Sequence, residues 1–464
     1  MSTHMPGAGV PEDVRQRVFA ACDKLAGKTT ELLADLVRIP SENPGYKYDE
    51  KMYRDRGYTD IYDEPITRGG ETKVARFLEP VLKDFCHETR LVAKDPLRSN
   101  LIGFMGSGGG KSLALNAHID TVPTGPHEGW TETGGDPFNP VIKDGRMYGR
   151  GTTDDKGPAA AIVGAAMAIH EAGLKPAGQL QLHLTVGEET GEGETFGPGW
   201  FIRQYPELKT DACIVAEGSS PPYRLGVVTT SSGVSCLNVT VTGKPVHAAM
   251  RYRTIRSGYE GEEVGVNAID KAMRIYRALY ELEQEWALKK DASGLSPRGF
   301  ACIPIGWVHG NPSGIELPFF VADHCELGMA VWRYPLENLE EVKAEVNRVI
   351  WSAAESDHWL REHPPEVDWW YDWPPFHIGH DHPLVQTVSS AYSRVLGTEA
   401  PYMAWQAVTD ARWYEDQGVP SVLIGPGDYR VAHAFNEWIA LDEIPDAMKI
   451  YALAALDWLG YEER

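Results

Sequence analysis

Five short segments bring together side chains of the kind that bind metals or move protons. ALNAHIDTVPTG carries His118 and Asp120 two residues apart. In an extended chain, residues i and i+2 share a face, so the Asp120 carboxylate can hydrogen-bond the far ring nitrogen of His118 and fix its tautomer. GRGTTDDKG sets Asp154 and Asp155 in a glycine-bounded turn, TVGEETGEGE ends in Glu188 and Glu189, and IVAEGSS presents Glu217. GPGDYRVAHAFNEW adds His433 and Glu437. Each segment alone has a plainer explanation: Asp–His pairs occur as surface hydrogen bonds, acidic doublets cap helices, and a lone late histidine is commonly structural. Their joint occurrence at strand ends is what sets these segments apart.

The elements that must position them follow from periodicity. Residues 11–38 and about 71–86 have helical spacing. SNLIGFMG, SLALNAHID, GQLQLHLTVGEE and ACIVAEG are short apolar runs, with helical stretches at roughly 157–172 and 197–205 between them. This alternation predicts an α/β fold, a mostly parallel sheet sandwiched by helices, whose ligands sit beyond the carboxyl ends of the strands. From about 229 the pattern changes to strand, long amphipathic helix, strand, helix (336–356) and strand, an α+β unit inserted into the first. The boundaries expected are 1–228 and 374–464 for the α/β domain and 229–373 for the insert. The α/β pattern resumes with HPLVQTVSSAYSRVLG and SVLIGPG and closes with a helix at 441–459. GPGD at 425–428 could hold a carboxylate through its N–H groups or turn the chain; a turn is expected.

Composition excludes several classes. Hydrophobic residues make up 42% and charged residues 24% of the 464, as in a soluble globular chain. Asp and Glu number 66 against 44 Lys and Arg, a net charge of −22 that repels nucleic-acid phosphates. The six cysteines are scattered without a C-x-x-C pair and read as reduced thiols. No secretory leader is visible, and the Ala-rich run at 158–169 is too short to span a bilayer, so a cytoplasmic protein that engages no membrane is expected.

With HIDTVP, GRGTTDDKG, EETGEGE, AEG, GKPVH and AHAFNE in this order, the chain resembles the co-catalytic zinc amidohydrolases. These include acetylornithine deacetylase, succinyl-diaminopimelate desuccinylase, aminoacylase and the glutamate carboxypeptidases. The resemblance implies two divalent metals, zinc with cobalt or manganese as alternatives. His118 and Glu217 would hold one, Glu189 and His433 the other, with Asp154 shared. It implies Glu188 as general base, Asp120 as the partner that orients His118, and the inserted unit as a lid and dimerisation domain. His247 would stabilise the oxyanion from the second subunit of a homodimer, and Arg333 would bind a carboxylate on a small-molecule substrate.

The sequence departs from relatives at Asp155, where Met or Asn is usual, and at GIELP before Pro318, where an Asn is often found. The Tyr-rich stretch at 43–70 and the segment at 251–265 suggest a reshaped mouth. Fourteen tryptophans, among them Trp130, Trp332, Trp405, Trp413 and Trp438, admit an aromatic substrate or simply a packed core. The expected reaction is hydrolysis of an N-acyl amino acid or small peptide-like compound by a water that two metals activate. Dipeptidase or carboxypeptidase activity and removal of an amine from an aromatic ring are the rivals on this scaffold. A non-catalytic metal-bound binding protein is the rival from another class.

Overall fold

A computed structural model describes residues 3–4, 7, 9–44, 70–219, 222–254, 264–291, 296–311 and 317–464. The Tyr-rich stretch from Tyr46 to Tyr62, most of the 251–265 segment and most of GIELP lie outside these residues. The chain forms two compact units: 1–229 with 378–403 and 409–464, and 230–377 with 404–408.

The first unit is built on an eight-stranded sheet. Its strands are β1 (Glu88–Asp95), β2 (Arg98–Gly106), β3 (Ser112–His118), β4 (Gln179–Thr185), β5 (Cys213–Val215), β6 (Val227–Ser231), β7 (Tyr402–Trp405) and β8 (Ser421–Leu423). They lie in the order β7-β6-β8-β5-β3-β4-β2-β1. The central β8, β5, β3 and β4 are parallel, whereas β4–β2, β2–β1 and β6–β8 pair antiparallel. The parallel part of the sheet is therefore its centre, and that is where the predicted chemistry lies. β2 is buried along its whole length and β3 at all but its first residue, which matches their unbroken apolar runs.

The long helices are α1 (Glu12–Val37), α2 (Glu71–Lys83), α3 (Lys156–Glu171), α4 (Pro383–Leu396) and α5 (Glu443–Leu459). α3 buries every residue from Lys156 to Ile169 between α1, α5 and the sheet. Gly164 allows the close approach: a Cβ there would stand 2.8 Å from Thr29 Oγ1 and 3.0 Å from the end of Met448. A helix apolar on every side is buried on every side, so the Ala-rich run is a core helix.

The second unit is a four-stranded antiparallel sheet ordered 305–311, 324–333, 233–242, 366–373. The helices Ala268–Lys289 and Leu339–Glu355 cover it, each started by an asparagine, Asn267 and Asn338, that accepts from two amides of the first turn. Its core joins Leu237, Val239, Ile275, Leu279, Leu327 and Val346. The sequence pattern misses the edge strand Ile305–Asn311, because its residues are largely exposed and show no alternation.

Gly164→Val fills the contact of α3 with α1 and α5, and should lower stability by about 1–3 kcal/mol. Urea denaturation measures it; an unchanged midpoint would mean that the contact has room to spare.

Candidate active site

His118, Asp154 and Glu189 each offer a ligand atom, and the three atoms lie within 4.8 Å of one another. All belong to the first unit. His118 ends β3, Glu189 follows β4, Glu217 follows β5, and Asp154 comes from the turn before α3. His118 Nε2 lies 2.9 Å from Asp154 Oδ1. His433 Nε2 lies 3.1 Å from Asp154 Oδ2 and 3.0 Å from Glu189 Oε2. His433 is half-exposed and sits at φ 62°. The Asp154–Asp155 peptide is cis. Glu217 is buried, and its Oε1 accepts from the Thr409 hydroxyl at 2.7 Å.

The tautomer of His118 is set differently from the expectation. Its Nδ1 is 3.0 Å from the Asp120 carbonyl oxygen and 3.6 Å from the Asp120 carboxylate. The main-chain oxygen is thus the acceptor at hydrogen-bond distance. The carboxylate is drawn elsewhere: Asp120 accepts from the Asn43 amide at 2.7 Å, from Gly187 N at 3.1 Å and from Glu189 N at 3.2 Å. Asp120 therefore binds the β3 end to the turn that presents Glu188 and Glu189. Asp155 turns one oxygen to the amide of His118 at 2.9 Å.

The electrostatics show a deficit of positive charge. Burial raises the Glu188 carboxyl well above its ordinary value, and Glu217 and Glu189 add to the effect. Burial, with Asp154 and Asp410 nearby, pushes Glu217 up to about 8. Burial and the Asp154 charge raise Glu189. Burial works against a charge on His433, yet Glu189 and Asp154 raise it to about 11. Asp154 behaves oppositely: burial would raise it, but hydrogen bonds from His118 and His433 hold it low. Imidazole nitrogens facing carboxylates that crowd one another out of water form a donor set that fits divalent cations, which would supply the missing charge.

Residues with no signature in the sequence complete the site. Thr409 and Asn43 hold Glu217 and Asp120. Asp410 is buried, accepts from Thr185 Oγ1 at 3.0 Å and is pushed by burial up to about 7. They sit in loops whose sequences, SENPG and AVTDAR, have no pattern tied to the other segments. In the GPGD segment the chain bends at Pro426 and Gly427, the Gly427 amide donates to the Glu443 carboxylate at 2.8 Å, and a Cβ on Gly425 would collide with the Glu217 carbonyl. Trp130, Trp405 and Trp413 are buried and fill the interior.

His247 and Arg333 belong to the second unit. His247 is exposed, and its Nδ1 accepts from the Ala249 amide at 3.1 Å, so the neutral ring carries its proton on Nε2. Arg333, expected at a substrate carboxylate, is buried and donates to Ser235 Oγ at 2.8 Å and to Asp372 at 2.8 Å. The partners the structure gives its guanidinium are thus internal.

A cluster of imidazoles and largely buried carboxylates beyond the carboxyl ends of parallel strands fits a metal-dependent hydrolase. Residues 114–457 match the profile of Peptidase family M20/M25/M40, and the chain belongs to that family; it hydrolyses amide bonds in a metal-dependent reaction. It is similar to an N-formyl-4-amino-5-aminomethyl-2-methylpyrimidine deformylase of Halalkalibacterium halodurans, 32% identical over 75% of this chain and 79% of the relative. It is also similar to a probable succinyl-diaminopimelate desuccinylase of Staphylococcus epidermidis, 24% identical over 90% of this chain and 95% of the relative. Among solved structures, the di-peptidase Dug1p from Saccharomyces cerevisiae shares the fold, with a TM-score of 0.70, 17% identity, and coverage of 96% of this chain and 98% of that one. Human carnosine dipeptidase 1 does so with a TM-score of 0.68, 14% identity, and coverage of 96% and 99%. Among the described residues, no helix is long and apolar enough to cross a membrane.

β4, which leads to Glu188, also carries a buried histidine. His183 Nδ1 lies 2.7 Å from the Tyr414 hydroxyl and Nε2 2.8 Å from Gln181 Oε1, so the neutral ring is fully satisfied. Burial lowers its pKa to about 3. The unfolded chain binds this proton below about 6.5 and the folded chain only below about 3, so stability is lost as pH falls through that window. Wild type should lose about 2–3 kcal/mol more than His183→Gln between pH 7 and pH 4.5, read as urea midpoints at the two pH values. Parallel losses would show that His183 titrates alike in both states.

Proposed function

We propose that this chain hydrolyses the amide bond of an N-acyl amino acid or a similar small N-acylated compound, using two divalent ions, zinc with cobalt or manganese as substitutes. The observation that carries this reading is the convergence of His118, Asp154, Glu189 and His433, with the Glu188 carboxyl buried alongside. His118 and Glu217 would hold one ion and Glu189 and His433 the other, with the Asp154 carboxylate available to both. Bound there, such ions supply Lewis acidity toward the amide carbonyl and lower the pKa of water.

The chain's own groups do the remainder. Glu188 takes the proton from the attacking water and returns it to the departing amine. Its neighbour Glu189 is engaged by His433, which leaves Glu188 for the proton transfer. Asp120 keeps the Glu188–Glu189 turn in register with His118. His247 of a second copy donates its Nε2 proton to the oxyanion, so the working form is a homodimer. The deformylase relative favours a second substrate class, N-formyl aminomethylpyrimidines, on the same machinery.

Metal content and turnover of a panel of N-acyl amino acids, dipeptides and N-formyl aminomethylpyrimidines test this. Wild type should bind two ions per chain, and Glu188→Ala should keep both while losing turnover by about 10²–10⁴-fold. A Glu188→Ala variant that still turns over at the wild-type rate removes the general base from the proposal. His247→Ala should lower kcat by about 10²–10³-fold with metal content unchanged, and wild-type kcat in that variant would release His247 from its role.

A further inference from the structure

Glu437, near the end of the late loop, has no task in the reaction and is completely buried. One carboxylate oxygen accepts from Arg150 Nη1 at 2.7 Å and from the Gly151 amide at 3.0 Å. The other accepts from the Thr153 amide at 2.8 Å and from the Asp154 amide at 3.0 Å. A single side chain thus gathers the turn that carries Asp154, whose amides form a concave nest around an anion.

The same segment reaches Asp154 a second time, through His433. Between the two contacts the chain is pinned. His433 and Asn436 take positive φ of 62° and 56°. Asn436 accepts from the Glu132 amide at 2.9 Å and donates to Thr131 Oγ1 at 3.0 Å. Phe435 packs edge-on against Trp130, in a space where a Cβ on Gly129 would stand 2.5 Å from its ring. The Arg150 guanidinium lies over the same Trp130 ring. The backbone of Asp154 and the imidazole of His433 are therefore referred to one rigid piece of chain.

We propose that Glu437 is a positioning residue that sets the distance between Asp154 and His433 and so governs how tightly the site holds its metals, an inference that rests on the two-metal reading above. A carboxylate is required. Either orientation of a glutamine sets its NH₂ against two donors, Arg150 and Gly151 N on one side or Thr153 N and Asp154 N on the other. The Glu437 carboxylate accepts from Arg150 and from main-chain amides that include that of Asp154, so its effect is felt through Asp154.

Zinc-loaded full-length wild type, Glu437→Gln and Glu437→Asp would be titrated with a chelator. Retained zinc would be read by mass spectrometry, and melting temperatures taken with and without zinc. Both variants should release zinc to a chelator concentration about tenfold or more lower than wild type requires, with a smaller zinc-induced rise in melting temperature. Glu437→Asp keeps a negative charge beside Arg150 and decides the matter if Glu437→Gln does not fold. A purely structural role would lower both melting temperatures equally and leave zinc retention unchanged, which overturns the proposal while the two-metal reading stands. Wild type that takes up no zinc overturns both.

Discussion

Placing several carboxylates out of water and close together costs several kcal/mol for each ion that lacks a partner, and much of the first unit is arranged around that cost. Asp120 is held by the Asn43 side chain and two amides, Glu217 by Thr409, and Glu189 by the Val122 amide at 3.0 Å as well as by His433. Further out, buried Arg98 spans Glu71 and Glu192, and Arg150 meets Glu437. Asp120, Glu189 and Glu217 stand just beyond parallel strands, and their donors reach them from loops and from main-chain amides. Without that scaffold the acidic groups would separate or take up protons.

The legibility of this arrangement in the sequence is uneven, for physical reasons. The ligand-type residues are visible because they sit at the ends of apolar runs, where a strand must stop and a polar group stands out. Most of the elements that carry them follow from periodicity, including α3, whose alanines read as a buried helix. The strand Ile305–Asn311 escapes because an exposed edge has no buried face to impose alternation. Asn43, Thr409 and Asp410 escape because a loop residue that serves as a hydrogen-bond donor or a buried acid leaves no period behind. The Asp120 contact is half legible: spacing places it beside His118, but only the structure shows that its carbonyl is the nearer acceptor.

The second unit obeys the simpler rules of a half-covered antiparallel sheet. The strand Gly233–Thr242 alternates from Ser235 to its end, and two asparagine caps begin the long helices. The roles of its histidine and arginine are less legible, because an exposed histidine or a buried arginine takes its meaning from its neighbours. Ser235 and Asp372 face Arg333 across paired strands, a relation that no spacing rule reveals.

The strand order has a consequence for the birth of the protein on the ribosome. β5 and β6 follow one another in the chain but are not neighbours in the sheet, because β8 lies between them. The slot for β8 stays unfilled until the entire inserted unit has been synthesised. During that interval the nascent chain exposes two open strand edges beside its apolar core, the kind of surface that invites mispairing or a chaperone. His433 emerges later still, so the catalytic centre is among the last parts of this unit to assemble, after a waiting period imposed by topology alone.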